Sequence, residues 1–278
     1  MKNFPPLPAI ENAPDELLDG GHLWILELVD GEPLRFRLDE SGLIRFGDET
    51  RVYDDSNAVP DRYQHAIRYI RENLDREVLR RAVTDVEDIT FFGVATHHQT
   101  IEYDWERTPS FLGYDVWSSD VDEFRPPDAA EQIFEQLGLR PANAVEKERN
   151  TRDFDPDSYT IPHSAWYDGP AKGVVVRNKR GNRGKLSHPT FREKTNVEPA
   201  DGSAAELAAK FATPRRVETV KSRLSEHNRP VTFESVYERV LEAILREEHA
   251  RLDQRANDLD MAAFRSELAA VIREDLDG

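Results

Sequence analysis

Apolar positions come in short blocks along the first half of the chain. "HLWILELV" (22–29), "PLRFRL" (33–38) and "GLIRF" (42–46) are rich in Leu, Ile, Phe and Trp and predict strands. The breaks at Asp30-Gly31 and Ser41-Gly42 predict hairpin turns between them. After Pro60 the spacing changes: Tyr63, Ile67, Ile70 and Leu74 recur at helical intervals, predicting an amphipathic helix. Strand patterning resumes in "DITFFGVAT" (88–96), "QTIEYDW" (99–105) and "FLGYDVW" (111–117), and "DAAEQIFEQLGL" (128–139) predicts a short helix behind Pro126-Pro127. Residues 140–170 read as irregular and polar, and "KGVVVRN" (172–178) as a strand. Beyond about residue 200 the period is helical. Phe233, Val236, Tyr237, Val240, Leu241, Ile244 and Leu245 form one stripe behind a Thr232 N-cap, and Met261, Phe264, Leu268, Val271 and Ile272 form another. Both stripes read as packing faces. Residues 1 to about 20, proline-rich and polar, read as an arm lying on the surface. The expectation is an α+β protein with a strand-rich domain over 1–200 and a helical module over 201–278.

Composition narrows this picture. At 278 residues and 38% hydrophobic content the chain can build an ordinary core. It contains no apolar run long enough to span a membrane, and "MKNFPPLPAIENAP" lacks the apolar centre of a signal peptide, so a cytoplasmic location is expected. With no cysteine there is no disulfide, zinc-thiolate site or thiol nucleophile. Acidic residues number 54 against 37 basic ones, a net charge of −17, and only eight of the basic residues are lysine. The acids are spread along the chain rather than blocked, so the excess reads as adaptation to a salt-rich, halophilic interior, where screening reduces self-repulsion. A nucleic-acid site would then have to be a local basic island.

Four segments, in order, resemble the ATP-dependent RNA ligase family of covalent nucleotidyltransferases. "ELVDGEPLRF" stands where that family has Lys-x-Asp-Gly, "FFGVATHHQTIEYDW" where it has Phe-Gly-Glu, and "FLGYDVW" where it has a strand ending in an aromatic-Asp pair. "AKGVVVRNKRGNRGKLSHPTFREK" stands where it has Glu-Gly-hydrophobic-basic followed by a lysine motif. The match covers about residues 20–195, and its order and spacing carry it rather than any single motif. The chain is thereby identified as a degenerate member of haloarchaeal type. The resemblance implies an RNA ligase-like, ATP-grasp-like nucleotidyltransferase fold with antiparallel sheets, with ATP and Mg2+ as cofactors and RNA as partner. In the family a lysine attacks the α-phosphate to form lysyl-AMP, acids hold ribose and metal, and lysines neutralise phosphates. The AMP then passes to an RNA 5′-phosphate, and a 3′-hydroxyl displaces it.

Three of those charges are replaced here. Leu28 stands at the nucleophile, Val94 at the acid after Phe92-Gly93, and Lys172 at the acid before the Gly-Val-Val-Val strand; no lysine occurs between Lys2 and Lys147. Losing a nucleophile alone removes about 10⁶-fold of rate in a hydrolase. By family logic the chain does not adenylate itself, and no catalytic residue or metal ligand is expected. Nucleotide contacts are expected from Asp30, Gly31, Arg35, Arg45, Phe111, Tyr114, Lys172 and Lys185. Five of them have a plainer alternative: Gly31 a turn glycine, Arg35 and Arg45 solvated strand residues, Phe111 and Tyr114 core residues. Asp115 either bonds a ribose or caps a strand.

The basic island is "RNKRGNRGK", residues 177–185, in which Arg177, Lys179, Arg180, Arg183 and Lys185 surround two glycines. It is read as an RNA or phosphate contact, with a solvated turn as the alternative. Lys185 matches the family's phosphate lysine, and Arg183 replaces a second lysine by a planar fork. His97 and His98 are adjacent on a predicted strand, so they point to opposite faces and no metal site is assigned to them. His163, His188 and His249 are isolated in sequence.

Three functional readings follow. The first is an RNA ligase-family pseudoenzyme that binds a nucleotide or an RNA phosphate end, with any chemistry supplied by an active ligase paralogue. The second is an active RNA ligase or nucleotidyltransferase using Lys172 or Lys185. The third is a structural partner whose cleft is filled by its own side chains.

Overall fold

In β1 (His22–Leu28), Leu23 and Ile25 point to one side and Trp24, Leu26 and Leu28 to the other, and the two sets join different apolar clusters. A strand buried on both faces needs cover on both, and the rest of this unit supplies it. The computed structural model describes residues 1–55, 58–191, 197–252 and 259–277. The chain forms two units, residues 1–96 with 101–195, and residues 97–100 with 196–278.

The first unit contains two antiparallel sheets. One has the order β7-β1-β8-β9, with β7 (Ala144–Asn150), β8 (Gly173–Asn178) and β9 (Arg183–Ser187). The other has the order β3-β2-β4-β5-β6, with β2 (Gly31–Leu38), β3 (Ile44–Gly47), β4 (Ile89–Thr96), β5 (Phe111–Ser118) and β6 (Glu123–Phe124). One face of the second sheet, carrying Leu34, Phe36, Phe91 and Phe111, is covered by α1 (Gln64–Asn73), α2 (Arg76–Ala82) and α3 (Pro127–Gln136). Phe36 stacks on Phe91 with ring centroids 4.7 Å apart, and Phe134 of α3 closes the same core.

Four expectations change. Asp30-Gly31 is not a hairpin turn, because β1 and β2 belong to different sheets and the dipeptide carries the chain from one to the other. Gly31 is required there: its φ is +149°, and a Cβ would lie 2.2 Å from the Ala95 carbonyl oxygen. Residues 99–105 form no strand, although 101–104 alternate buried and exposed as a strand would. Their amides go elsewhere, Ile101 N–H to the Asp30 carboxylate at 2.7 Å and Asp104 N–H to Trp166 O at 2.8 Å. The stretch read as irregular contains the edge strand β7, whose polar sequence hides it because only β1 pairs with it. The arm, finally, does not lie on an open surface: Leu17 is fully buried, and residues 3–7 form part of a cavity wall.

The second unit is helical, with α4 (Ala204–Phe211), α5 (Pro214–Glu226), α6 (Phe233–Glu247), α7 (His249–Leu252) and α8 (Met261–Asp277) around one apolar core. Val236, Val240 and Ile244 of α6 meet Phe264, Leu268 and Ile272 of α8, the two stripes foreseen from spacing. Thr232 caps α6 by accepting the Ser235 N–H at 3.2 Å. His97 and His98 follow β4 and belong to this unit. The His98 N–H donates to Arg246 O, and the His97 ring lies 4.1 Å from that of His249, so His249 is isolated only in sequence.

Candidate functional site

A cavity of about 640 Å³ opens in the first unit between the two sheets. Period-2 alternation builds it: Leu26, Leu28 and Val175 face it from one sheet, and Pro33, Phe92, Val94 and Tyr114 from the other, while their sequence neighbours Ile25, Val174, Leu34 and Phe91 turn into cores. The motif positions Leu28 and Val94 therefore do meet at one cavity. Both present hydrocarbon to it.

Behind this wall lies a polar network. Asp30 is fully buried; its carboxylate accepts the Ile101 N–H and pairs with the Lys172 ammonium, and its own N–H donates to Tyr103 Oη at 3.0 Å. Burial, with Asp30 close by, pushes the Tyr103 phenol well above its ordinary range, so it stays protonated. Glu27, one strand earlier, is also fully buried and accepts from Asn143 Nδ2 at 2.9 Å and Ala165 N–H at 3.1 Å. Lys172 thus spends its charge on Asp30 and is not on the cavity wall.

At the other end of the cavity two guanidiniums share one carboxylate. Asp115 on β5 is ion-paired through one oxygen with Arg177 on β8 and through the other with Arg183 on β9. All three are at least nine-tenths buried. Burial would raise the Asp115 carboxyl, but the two arginines outweigh it and hold the group below the usual carboxylate range. Arg183 Nη2 and Arg177 Nε are buried with no hydrogen-bond partner among the described residues. Together with Lys185 this gives three cations on the cavity wall against two carboxylates, Asp115 and Glu49. The excess is positive in a chain at −17.

The remaining expected site residues scatter. Arg35 is 2% exposed and donates to the Lys2 carbonyl oxygen and to Asn3 Oδ1. Arg45 is exposed and paired with Asp39 at 3.1 Å, away from the cavity. Phe111 is fully buried against Phe36 and Phe134, taking the core alternative. Tyr114 lines the cavity, with its hydroxyl donating to Glu27 O at 2.8 Å. Within the island, Arg177 and Arg183 point inward, Lys179 is exposed and paired with Glu148 at 2.8 Å, Arg180 is exposed, and Lys185 reaches the cavity. Gly181, at φ +91°, turns the β8–β9 hairpin that sorts them. The last residues of the matching segment, 192–194, lie outside the described residues. Sequence reasoning missed Glu27, Tyr103 and the arm residues 3–7; the signal for Glu27 was a lone carboxylate inside the apolar block "HLWILELV".

The cavity wall does not fit a divalent cation. Hard cations need several oxygen ligands, and of the two carboxylates on the wall Asp115 is faced by two guanidiniums, which leaves Glu49 alone, while Asp30 behind the wall is held by Lys172 and Val94 offers none. An anion fits better.

No family model matches the chain, and no curated protein matches it. Among solved structures it is similar to a Naegleria gruberi RNA ligase mutant with ATP and Mn, at TM-score 0.55 and 13% identity, covering 71% of this chain and 59% of that one. It is also similar to the Naegleria gruberi RNA ligase with PPi, at TM-score 0.53 and 12% identity, covering 70% and 58%. An archaeal ATP-dependent RNA ligase aligns with 100% of this chain and 65% of its own, at TM-score 0.49 and 14% identity. The chain spans less than two thirds of the length of each. Identity this low speaks to architecture alone, and the architecture is clear: the chain has the RNA ligase-like nucleotidyltransferase fold, α+β with antiparallel sheets.

Proposed function

We propose that the chain is an RNA ligase-fold protein that binds a phosphate-bearing ligand, a nucleotide or an RNA phosphate end, in the cavity between its sheets and does not adenylate itself. The observation that carries this is the cavity wall: Leu28 and Val94 put hydrocarbon where covalent chemistry would need an amine and an acid, while Arg183 and Lys185 keep unbalanced positive charge beside them. Lys185 and Arg183 would neutralise phosphate, Tyr114 and Phe92 would give the base an aromatic wall, and the ligand would sit without a metal. ATP is therefore read as a ligand rather than as a substrate, and Mg2+ as unnecessary. Residues 1–200 would act as the binding domain and 201–278 as its helical module. Any sealing reaction would come from an active ligase paralogue, in a cytoplasm rich in salt.

The competing reading, a ligase using Lys172 or Lys185, is weakened at Lys172 by the Asp30 pairing, since a paired amine is a poor nucleophile, and stays open to test at Lys185. Incubating the protein with α-labelled ATP and Mg2+ or Mn2+ separates the two. No SDS-stable, alkali-resistant and acid-labile adenylate, the signature of a lysine phosphoramidate, is expected from this chain or from Leu28→Lys, whereas equilibrium binding of a 5′-phosphorylated oligoribonucleotide is expected and should weaken in Lys185→Gln, with the salt slope falling by about one. A lysyl-adenylate on the natural chain would overturn the proposal, as would a failure to bind phosphorylated RNA or ATP at low salt.

A further inference from the structure

Five residues of the cavity wall, Asn3 to Leu7, come from the chain's own proline-rich arm, and several of the arm's anchors, Phe92, Leu26, Val175 and Lys185, belong to the same wall. Arg35 Nη1 donates to Lys2 O at 2.6 Å and to Asn3 Oδ1 at 2.9 Å. Phe4 meets Phe92 edge to face at 5.1 Å, and Leu7 packs into the cluster of Trp24, Leu26 and Val175 that Leu28 also joins. The Lys185 N–H donates to Pro8 O at 2.9 Å, and Ala9 bridges the same residue in parallel register, so the arm adds itself to the edge of β9. Lys2 lies 4.7 Å over the Trp117 ring and pairs with Asp122.

These contacts have the form of peptide recognition rather than of core packing. Pro5, Pro6 and Pro8 fix φ, so the segment is already extended before it docks and little chain entropy is lost. One edge backbone bond, one aromatic seat for Phe4 and one aliphatic seat for Leu7 then read "Phe-Pro-Pro-Leu-Pro" at positions three residues apart, one turn of an extended polyproline helix. Phe4, Pro5, Leu7 and Pro8 stay half-buried and Asn3 and Pro6 exposed, as in a seated ligand.

We propose that the cleft is a receptor for an extended proline-rich peptide, that residues 2–8 are its resident occupant, and that this occupant competes with the phosphate-bearing ligand. The competition rests on the function proposed above; the receptor does not. The apparent affinity for any ligand that needs the arm's seat is the intrinsic affinity multiplied by the fraction of time the arm is away.

The test uses the full chain. A fluorescent synthetic peptide of residues 1–10 is titrated into the natural protein and into Phe4→Ala/Leu7→Ala, whose own arm is weakened. The variant is expected to bind the peptide at least about tenfold more tightly than the natural chain, and to lose that binding when the peptide carries the same two alanines. Exchange of the Lys185 amide should speed up in the variant and slow again when peptide is added. A variant that binds no better than the natural chain, or whose Lys185 amide stays protected, overturns the proposal. If the double variant does not fold, Leu7→Ala alone is read in the same way with the same outcomes. Displacement of bound peptide by a 5′-phosphorylated oligoribonucleotide supports competition. Peptide binding without such displacement leaves the receptor standing and removes the competition; if that RNA also fails to bind the weakened-arm variant directly, the phosphate reading falls as well.

Discussion

At the scale of single residues, buried charge decides what this cleft can be. Asp115 is ion-paired with two buried guanidiniums at once. Removing one partner of a buried ionic group leaves the others uncompensated, so Asp115→Asn is expected to cost about 3–5 kcal/mol in urea unfolding; a loss under about 1 kcal/mol would mean water already serves those arginines. Asp48 behaves differently. Burial pushes its carboxyl up, but hydrogen bonds from Tyr53 Oη, the Arg51 and Thr50 amides and Thr50 Oγ1 prevail and bring it to about 2. A folded value below the unfolded one adds stability that is complete above the unfolded carboxyl pKa and disappears as pH falls through the folded value. The shift corresponds to about 2 kcal/mol. Asp48→Asn should therefore lower stability by about that amount at neutral pH and by progressively less from pH 4 down to 2, as read from denaturant midpoints; a pH-independent difference would point to lost hydrogen bonds alone.

Individual elements were read with uneven success, and the reason is what each buries. The α6 and α8 stripes were legible because a helix packed on one side repeats its apolar residues at 3.6, whatever it packs against. Thr232 announced its helix for an equally local reason, and Thr232→Ala is expected to cost about 1 kcal/mol in thermal unfolding, with Ser235 left to cap imperfectly. Strand β7 was not legible, because an edge strand with polar side chains carries no period. Residues 99–105 misled in the opposite sense: Ile101 and Tyr103 are buried and Glu102 and Asp104 exposed, yet their amides bond to Asp30 and to Trp166, so the alternation exists without a ladder. The Asp30-Gly31 step shows the same limit, since a turn signal says that the chain bends and not which sheet it enters. Gly31→Ala should lower stability by about 2 kcal/mol or more, because its Cβ would strike the backbone of β4 at a φ that alanine resists.

For the whole molecule, charge is the property that no local element explains. A net −17 repels itself at low ionic strength, and the screening length falls from about 10 Å at 0.1 M salt to about 3 Å at 1 M. The melting temperature is expected to rise across that range of KCl; a flat or falling curve would remove salt adaptation as the reason for the acidic surface.

What the sequence determined by itself is what local chemistry can carry: the helical stripes, most strands, the fold implied by the order of four motifs, and the side-chain types at Leu28, Val94 and Lys172. Tertiary structure decided which of the remaining groups face one another. Arg177 and Arg183 turn away from solvent to Asp115, Phe111 enters the core rather than the cleft, Lys172 is spent on Asp30, and the proline-rich arm takes a seat between the sheets. The physical reason is range. Propensity and periodicity act over a few residues, whereas a buried charge or a seated side chain is settled by whichever partner the fold brings within a few ångströms, from 62 residues away for Asp115 and Arg177.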